Sequence, residues 1–532
     1  MPSLAGSEQR ESTGRHAFLV AAGILLSRLF GVIRQSVFAR YFGIESDPAD
    51  AFNAAFRIPN FLQTLFGEGV LSASFIPVYA RLLQQGDEEE SGRVAGAAGA
   101  ILALAVAAIV LIGVLATPLF IDAIAPGYHG AKRDLIVRLV RILFPGAGCL
   151  AMAAWCLGIL NSHRRFFLSY SAPVAWNIAM IATLAGFGPR VDETTLAIAL
   201  AWGSVAGSAL VFLVQLPHVL RLVRRLRWNT DTQDPQVREV IRNFGPVFLS
   251  RGVVQLSSYI DTLLATYLPT GAMTGLVNAQ TLYLLPVSLF GMSVSAAELP
   301  AMSSALGDQA EIGAHLRRRL NGGLRRIAYF IVPSAMAFLA FGDVIAAILF
   351  QTGRFHYSDS QFVWGILAGS AVGLLAGTLG RLYSSTYYAL RDTRTPLRFA
   401  LVRVALTTAL GWLFATRLPL WLGVPRLWGV AGLTSSAGIA AWVEFTLLRR
   451  TLNRRIGSTG LQAILVVKLW ACAALAAAAG WGVKLALGLR HPKPFGAAIL
   501  LTYGLTYLAS TYLLRIGESS ELVRRGLRLA RR

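Results

Sequence analysis

The sequence predicts an all-α polytopic membrane protein with about fourteen transmembrane helices. Its 532 residues are 55% hydrophobic and only 14% charged. The mean hydropathy is +0.57, which is typical of membrane proteins rather than of soluble globular ones. Apolar stretches of roughly 20 residues, the length that crosses a hydrocarbon core about 30 Å thick, follow one another almost from end to end. They leave no room for a large soluble domain.

Short basic breaks, or breaks marked by glycine and proline, separate the apolar stretches. Several stretches exceed about 25 residues, which predicts tilted or kinked helices. The fourteen spans are predicted at 16–40, 51–80, 94–121, 135–160, 167–187, 195–219, 244–268, 273–304, 327–349, 360–390, 399–416, 428–448, 463–487 and 495–514.

The number of arginine and lysine residues alternates between high and low from one loop to the next along the chain. Eight segments outside the spans, counted alternately from the N-terminus, hold 30 of these residues, and the seven segments between them hold 8. This is the positive-inside pattern, and it predicts that both termini are cytoplasmic. The net charge of +22 therefore reflects membrane orientation, and we predict no nucleic-acid partner.

No motif typical of an enzyme active site occurs in the sequence. There is no Walker loop, HExxH or GxSxG, and the histidines are scattered. Cys149, Cys156 and Cys472 lie inside apolar stretches, where a thiol acts as a small buried hydrophobe. We therefore predict a membrane transporter with no catalytic residues, no metal and no cofactor.

An internal repeat divides the predicted spans into two halves. Ser27 and Arg28 align with Ser250 and Arg251 at an offset of 223, and residues 65–77 match residues 289–300. Because the repeat unit contains six helices, both halves keep the same orientation, as in transporters that alternate the access to a central cavity. The predicted organisation is a first lobe at 1–219, a basic cytoplasmic linker at 220–243, a second lobe at 244–456, and helices thirteen and fourteen with a basic tail at 457–532.

Charged residues within the predicted spans are unequally shared between the halves. Those of the first half include Arg28, Arg34, Arg57 and Glu68. Of these four, only Arg28 has a charged counterpart, Arg251, since serine and methionine align with Arg34 and Glu68. Charge at membrane depth is costly and normally faces a water-filled cavity or a partner. The asymmetry favours a substrate-facing role in the first half over snorkelling at helix ends.

The spacing of two arginines suits an extended anion. Arg28 and Arg34 lie ~9 Å apart along a helix and ~120° apart around it, and Gly31 between them permits a bend. Guanidinium forks match phosphate oxygens, so a diphosphate is a suitable ligand. Arg57 is a candidate third contact, and Glu68 is a candidate arginine partner or gate, with a solvated helix end as its alternative.

Asp261 is a lone carboxylate within an apolar span of the second half. It is a candidate site for a coupling ion or proton. Pairing with Arg251, ten residues earlier in the chain, is the alternative interpretation.

The chain resembles the MurJ/MviN family of lipid II flippases. The resemblance rests on five stretches, which read SRLFGVIRQ (27–35), DAFNAAFRIPNFLQTLFGEGVLSASFIPVYA (50–80), GILNSHRRF (158–166), ILFQTGRFHYSD (348–359) and YALRDTRTP (388–396). It implies two six-helix lobes around a cationic cavity and a groove at helices thirteen and fourteen for a polyprenyl tail. Arg28 and Arg34 correspond to cavity arginines, Asp50 to the acid of the DAF motif, and Glu68 to the glutamate of the EG motif.

The activity that the resemblance implies is transport of lipid-linked peptidoglycan precursor from the cytoplasmic to the outer leaflet by alternating access. It also implies dependence on membrane potential or a coupling cation, and Asp261 is our candidate for the coupling. The implied partners are the precursor and membrane lipids, and cell-wall synthesis proteins are further candidates.

Several positions depart from the pattern of the family. Gln35, Gln63 and Thr64 replace residues that are commonly charged, and Thr281 stands where the eighth helix often has an arginine. Fewer cavity arginines would weaken the hold on a diphosphate unless Arg57 and Arg251 compensate. The alternatives are a flippase for another polyprenyl-diphosphate oligosaccharide, a cation-coupled drug exporter and a scaffold that does not transport. A membrane glycosyltransferase would need larger loops.

Overall fold

A computed structural model describes residues 4–66, 71, 74–223, 225–303, 308–487, 492–520 and 524. Within these ranges the side chains of 4–21, 58–59, 62–66, 245–258, 300 and 309 are not described. The described chain consists of helices and short connections without any strand, so the predicted all-α fold class is confirmed. The chain forms two compact units, Met1–Gly271 and Ala272–Arg532. The lobe and linker boundaries predicted from the repeat stay a prediction.

The first unit contains ten described helices. They are α1 (Leu4–Phe42), α2 (Asp47–Phe66), α3 (Ile76–Gln85), α4 (Glu88–Leu115), α5 (Thr117–Ile124), α6 (Gly130–Ser162), α7 (Phe166–Ser171), α8 (Pro173–Phe187), α9 (Glu193–Leu222) and α10 (Pro235–Ala265). The long helix α6 packs against α2, α4 and α9, and α1 packs against α7 and α8.

The second unit contains nine described α-helices. They are α11 (Ala272–Pro286), α12 (Ser293–Ser303), α13 (Gln309–Phe350), α14 (Tyr357–Ala389), α15 (Arg394–Trp412), α16 (Leu418–Leu422), α17 (Gly429–Ile456), α18 (Ala463–Leu487) and α19 (Pro492–Leu513). Wider π-helical turns follow α11 at Val287–Met292 and α15 at Leu413–Arg417. The central helix α14 packs against both α13 and α17.

Eleven helical segments among the described residues are long and apolar enough to cross a membrane. The predicted spans 51–80, 244–268 and 495–514 have no counterpart among the eleven. Aspartate, asparagine and arginine make α2 more polar, α10 carries charged residues at both ends, and three tyrosines lower the hydropathy of α19. The count of fourteen is therefore not confirmed, whereas the polytopic helical architecture is.

Aspartate side chains define where several helices begin. Asp192 accepts hydrogen bonds from the backbone N–H groups of Thr194 and Thr195, at 3.0 and 3.1 Å. Asp308 and Glu311 form a reciprocal capping box at the start of α13. The first N–H groups of a helix have no partner within it, and a carboxylate also interacts favourably with the helix dipole.

Helices α18 and α19 dock on α13 of the same unit. Pro333, inside α13, has no N–H to donate to the carbonyl of Tyr329, and the Tyr507 hydroxyl of α19 donates to that carbonyl at 2.7 Å. Near the far end of α13, Lys484 of α18 pairs with buried Asp343 at 2.7 Å. Hydroxyl and ammonium groups of the terminal pair thus satisfy polar groups that α13 leaves open.

Close backbone contact joins α14 and α17. A Cβ atom built on Gly373 would lie 2.3 Å from the Cα of Gly438. The Trp442 indole N–H donates to the Val372 carbonyl, at 2.8 Å, beside this crossing. Small residues at a helix crossing allow such approach in membrane proteins, where van der Waals packing replaces the hydrophobic driving force.

We expect Gly373→Ala to destabilise the protein by about 1–3 kcal/mol, because the added methyl meets backbone that cannot move away. Gly380→Ala is the matched control, since a Cβ at Gly380 of the same helix meets no atom within 4 Å. Thermal unfolding of both purified variants measures the difference. A Tm of Gly373→Ala equal to that of Gly380→Ala would contradict the packing argument.

Candidate functional site

Arg34 of α1 lies against two aromatic rings in the first unit. Its guanidinium carbon is 5.3 Å from the ring centroid of Trp176 and 5.7 Å from that of Phe56. The two rings stack with centroids 5.3 Å apart and an angle of 9° between their planes. Such contacts stabilise a cation through the electron-rich ring face without neutralising its charge.

Secondary contacts fix this aromatic platform, which we define as Phe56 and Trp176. The Trp176 indole N–H donates to the backbone carbonyl and the hydroxyl of Ser204, each at 3.1 Å. A chain of ring contacts continues from Phe56 through Phe52 and Phe38 to Phe42, with centroid distances of 5.5, 5.7 and 4.5 Å. The platform therefore belongs to the packed interface of α1, α2, α8 and α9.

Arg34 keeps its hydrogen-bonding capacity at the platform. One Nη1–H contacts the thioether sulfur of Met180 at 3.6 Å, a weak acceptor. Among the residues that the structure describes, no carboxylate lies within ion-pair distance of Arg34. Arg28, two turns earlier in α1, is exposed and likewise makes no described ion pair. The remaining N–H groups of Arg34 are thus available to an anion.

Arg57 of α2 interacts with α10. Its Nη1–H donates to the Thr262 hydroxyl at 2.5 Å, and the Tyr259 hydroxyl donates to the Arg57 carbonyl oxygen. Asp261 acts electrostatically on the same guanidinium. The structure therefore brings two predicted site residues, Arg57 and Asp261, into one neighbourhood, which no sequence signal indicated. The alternative partner of Asp261, Arg251, lies in α10, and its side chain is outside the described residues.

Asp50 is engaged in an internal network. Its side chain is only 2% exposed, and Lys132 of α6 lies 3.2 Å away. The same carboxylate oxygen accepts the backbone N–H of Gly271 at 2.9 Å. Lys132 also pairs with Asp47 at 2.8 Å, and the Thr270 hydroxyl donates to Asp47 at 2.6 Å. The network joins the start of α2 to α6 and to the segment that follows α10.

The remaining site predictions fall partly outside the description. Glu68 lies in the undescribed segment 67–70, and the side chains of Gln63 and Thr64 are also outside the described residues. Thr281 donates its hydroxyl to the Val277 carbonyl of its own helix at 2.9 Å. Its position therefore supplies a hydroxyl already used within the helix.

Sequence reasoning missed a charged group in the second unit. Arg403 of α15 pairs with Glu444 of α17 at 3.2 Å. Arg403 and Arg381 both act electrostatically on the Tyr283 hydroxyl. The sequence could have indicated this group, as it did in the first half. Arg381, Arg403 and Glu444 are charged residues inside the predicted spans 360–390, 399–416 and 428–448.

The helical fold, the apolar spans and the arginines within them define the class: a polytopic membrane transporter. Among the described residues, no three histidine, cysteine or acidic side chains cluster as metal ligands would.

Comparison with known proteins identifies the family. The family model "Lipid II flippase MurJ" matches residues 38–488. A lipid II flippase MurJ from Burkholderia cenocepacia is 33% identical over 448 residues, which cover 82% of this chain and 84% of the relative. A probable lipid II flippase MurJ from Rhizobium meliloti is 30% identical over 531 residues, covering 96% and 95%. The chain therefore belongs to the lipid II flippase MurJ family, and it is a transporter rather than an enzyme.

Solved structures agree on the fold. A lipid II flippase MurJ in an inward closed conformation superimposes with a TM-score of 0.77 at 21% identity, covering 93% of this chain and 98% of that chain. An inward-facing multidrug resistance MATE family transporter reaches a TM-score of 0.64 at 15% identity, with 82% and 98% covered. At these identities the likeness concerns the fold alone.

We expect Lys132→Met to cost about 3 kcal/mol or more, because it leaves the buried Asp50 carboxylate without its countercharge. Asp47→Asn is the matched control, since it removes the partner of Lys132 that is 60% exposed, and exposed pairs contribute about 1 kcal/mol or less. Thermal unfolding in detergent compares the two. Equal losses in both variants would contradict the assigned importance of Asp50.

The stability contribution of Asp47 should depend on pH. Hydrogen bonds from Lys132 and Thr270 lower the pKa of Asp47 from its ordinary value of 3.8. A carboxyl whose pKa is lower in the folded state stabilises the fold above the unfolded pKa, and that contribution disappears as the pH falls through the folded pKa. The difference in Tm between wild type and Asp47→Asn should therefore shrink below about pH 4. A difference that stays constant as the pH falls below the ordinary pKa of 3.8 would contradict the lowered pKa of Asp47.

Proposed function

We propose that this protein moves lipid-linked peptidoglycan precursor, lipid II, from the cytoplasmic to the outer leaflet of the inner membrane for cell-wall synthesis. Membership of the MurJ family over residues 38–488 supports the substrate class. The observation that carries the proposal at the level of residues is Arg34, a half-buried guanidinium held by aromatic rings without a described carboxylate partner. Both termini are proposed to be cytoplasmic, on the strength of the charge alternation.

The chemistry of Arg34 suits the diphosphate of such a precursor. A guanidinium presents five N–H donors in a planar fork, which matches the oxygens of a phosphate group. Cation–π contact holds the fork in place while the full positive charge remains available. An arginine already paired with a carboxylate would have to give up that partner to bind a phosphate. Arg34 binds without this exchange.

Arg57 and Asp261 are the proposed coupling elements. Because Asp261 acts on the Arg57 guanidinium, neutralising Asp261 with a proton or a bound cation would leave the positive charge of Arg57 uncompensated. The anionic precursor would then be held more strongly while the cation is bound. Alternating access, in which the site faces each side of the membrane in turn, would link this exchange to transport.

A second candidate is a flippase for another polyprenyl-diphosphate oligosaccharide. It is favoured by the uncharged residues at Gln35, Gln63 and Thr281. These positions lower the number of cationic contacts, and a differently shaped headgroup would use other donors. Drug export and a role as a scaffold for cell-wall synthesis proteins are tested by the same experiment.

The test is complementation of a bacterial strain depleted of its own lipid II flippase, read out as precursor exposed on the outer leaflet. Wild type should restore exposure. Arg34→Ala should lower it about 30-fold or more, since a charge-assisted bond to a phosphate contributes about 2–3 kcal/mol. Arg34→Lys should fall between the two, because it keeps the charge but loses the fork.

Two further variants separate binding from folding. Trp176→Leu should lower exposure while Arg34 remains present, because the guanidinium loses its platform. Arg190→Ala is the control, since the exposed Arg190 only donates to the Gly186 carbonyl of α8. Full activity of Arg34→Ala at normal expression would refute the role of Arg34. Failure of the wild type to restore exposure would favour another oligosaccharide lipid or a drug as the substrate, or the scaffold that does not transport.

A further inference from the structure

A cavity of about 640 Å³ opens on the surface of the first unit, away from Arg34. One face of α6 supplies most of its lining, and α9 supplies a tryptophan. The lining residues are Arg133, Asp134, Val137, Arg138, Arg141, Ile142, Pro145 and Trp202. Four of these eight are apolar, three are arginines and one is an aspartate.

The cavity lies between α6 and α9. These helices are in close contact at Gly146, where a built Cβ would lie 3.3 Å from the Ser208 hydroxyl and 3.4 Å from the Val205 Cα. Every lining residue of α6 precedes Gly146, and Trp202 precedes Val205 by almost one turn. The cavity therefore lies on the side of this contact that is nearer to the N-terminal ends of α6 and α9.

The arginines that line the cavity differ in how many hydrogen bonds and ion pairs they form with other protein groups. Arg133 donates two hydrogen bonds to Asp122, at 2.7 and 2.9 Å, so its charge is neutralised. Arg141 uses only its Nε–H, which donates to the Val114 carbonyl at 3.3 Å. Arg138 is exposed and has no ion pair among the described residues. Asp134, which also lines the cavity, has a side chain that is 78% exposed.

The position of Arg141 gives the depth of the cavity in the membrane. Its partner Val114 is the penultimate residue of α4, whose apolar span ends at Leu115. The arginine is therefore level with the boundary between hydrocarbon and headgroups. Trp202 is 57% exposed, and tryptophan is enriched at this boundary. The neighbouring surface of α4 and α5 is apolar, with exposed Leu111, Ile112 and Leu119.

We propose that this cavity binds the headgroup of an anionic phospholipid. The phosphate lies between the guanidinium groups of Arg138 and Arg141, which bind its oxygens as forks. The glycerol and the first acyl carbons contact Val137, Ile142 and Trp202. A free phosphate ion would use the arginines alone and leave the apolar lining in water, so the amphipathic lining selects a lipid. The site shares no residue with the proposed transport site.

The test uses the full-length protein purified in detergent and native mass spectrometry of its lipid adducts. Phosphatidylglycerol and phosphatidylethanolamine with identical acyl chains are titrated separately. Wild type should retain one phosphatidylglycerol, about tenfold more tightly than phosphatidylethanolamine. The double variant Arg138→Ala/Arg141→Ala should lose this preference and bind phosphatidylglycerol about 25-fold more weakly, since each arginine near a membrane surface contributes about a factor of five. Arg190→Ala should bind as wild type does.

Three outcomes would overturn the proposal. The first is unchanged phosphatidylglycerol binding by the double variant. The second is displacement of the lipid by millimolar inorganic phosphate, which would indicate a simple anion site. The third is displacement by a lipid-linked diphosphate precursor, which would make the cavity part of the substrate path. If the double variant does not fold, the single variant Arg138→Gln tests the proposal instead, because an exposed side chain can be replaced without loss of the fold. This substitution should lower the affinity for phosphatidylglycerol about threefold to fivefold.

Discussion

An ionised side chain at membrane depth loses several kcal/mol of hydration free energy unless another group replaces the water. Ion pairs between helices meet this cost at several places in the described chain, among them Asp50–Lys132, Asp343–Lys484 and Arg403–Glu444. Their partners are 82, 141 and 41 residues apart in sequence. Each pair therefore specifies which helices become neighbours, because any other packing leaves a charge in an apolar solvent.

Arg34 meets the same cost in a different way. Its charge is stabilised by the faces of Phe56 and Trp176 rather than by a carboxylate, so the region keeps a net positive charge. An ion pair removes the field that an anionic substrate would sense, whereas aromatic contact preserves it. The difference between a structural and a ligand-binding charge in this fold lies in the kind of partner.

The sequence was sufficient for the fold class and for the family resemblance, because hydropathy and loop charge are local properties and the motifs keep their order. It also pointed to Arg34, since no charged residue repeats it in the second half. The partners were not predictable. Lys132 was counted only as a loop charge, and nothing near Trp176 in the sequence indicated that it faces a residue 142 positions earlier. Such pairings depend on tertiary distances. Polar residues also affect the count of spans. They make the helices at 51–80, 244–268 and 495–514 too polar to be recognised as membrane spans by hydropathy.

The hydroxyl of Tyr507 fills the hydrogen bond that Pro333 cannot make to the Tyr329 carbonyl. Neither residue is advantageous by itself, since the proline leaves an orphan acceptor and the tyrosine brings a polar group into an apolar helix. Their costs cancel only together, so evolution should gain or lose them as a pair. Relatives without α19 would then be free of the proline as well, so that an internal position of α13 would be inherited together with α19.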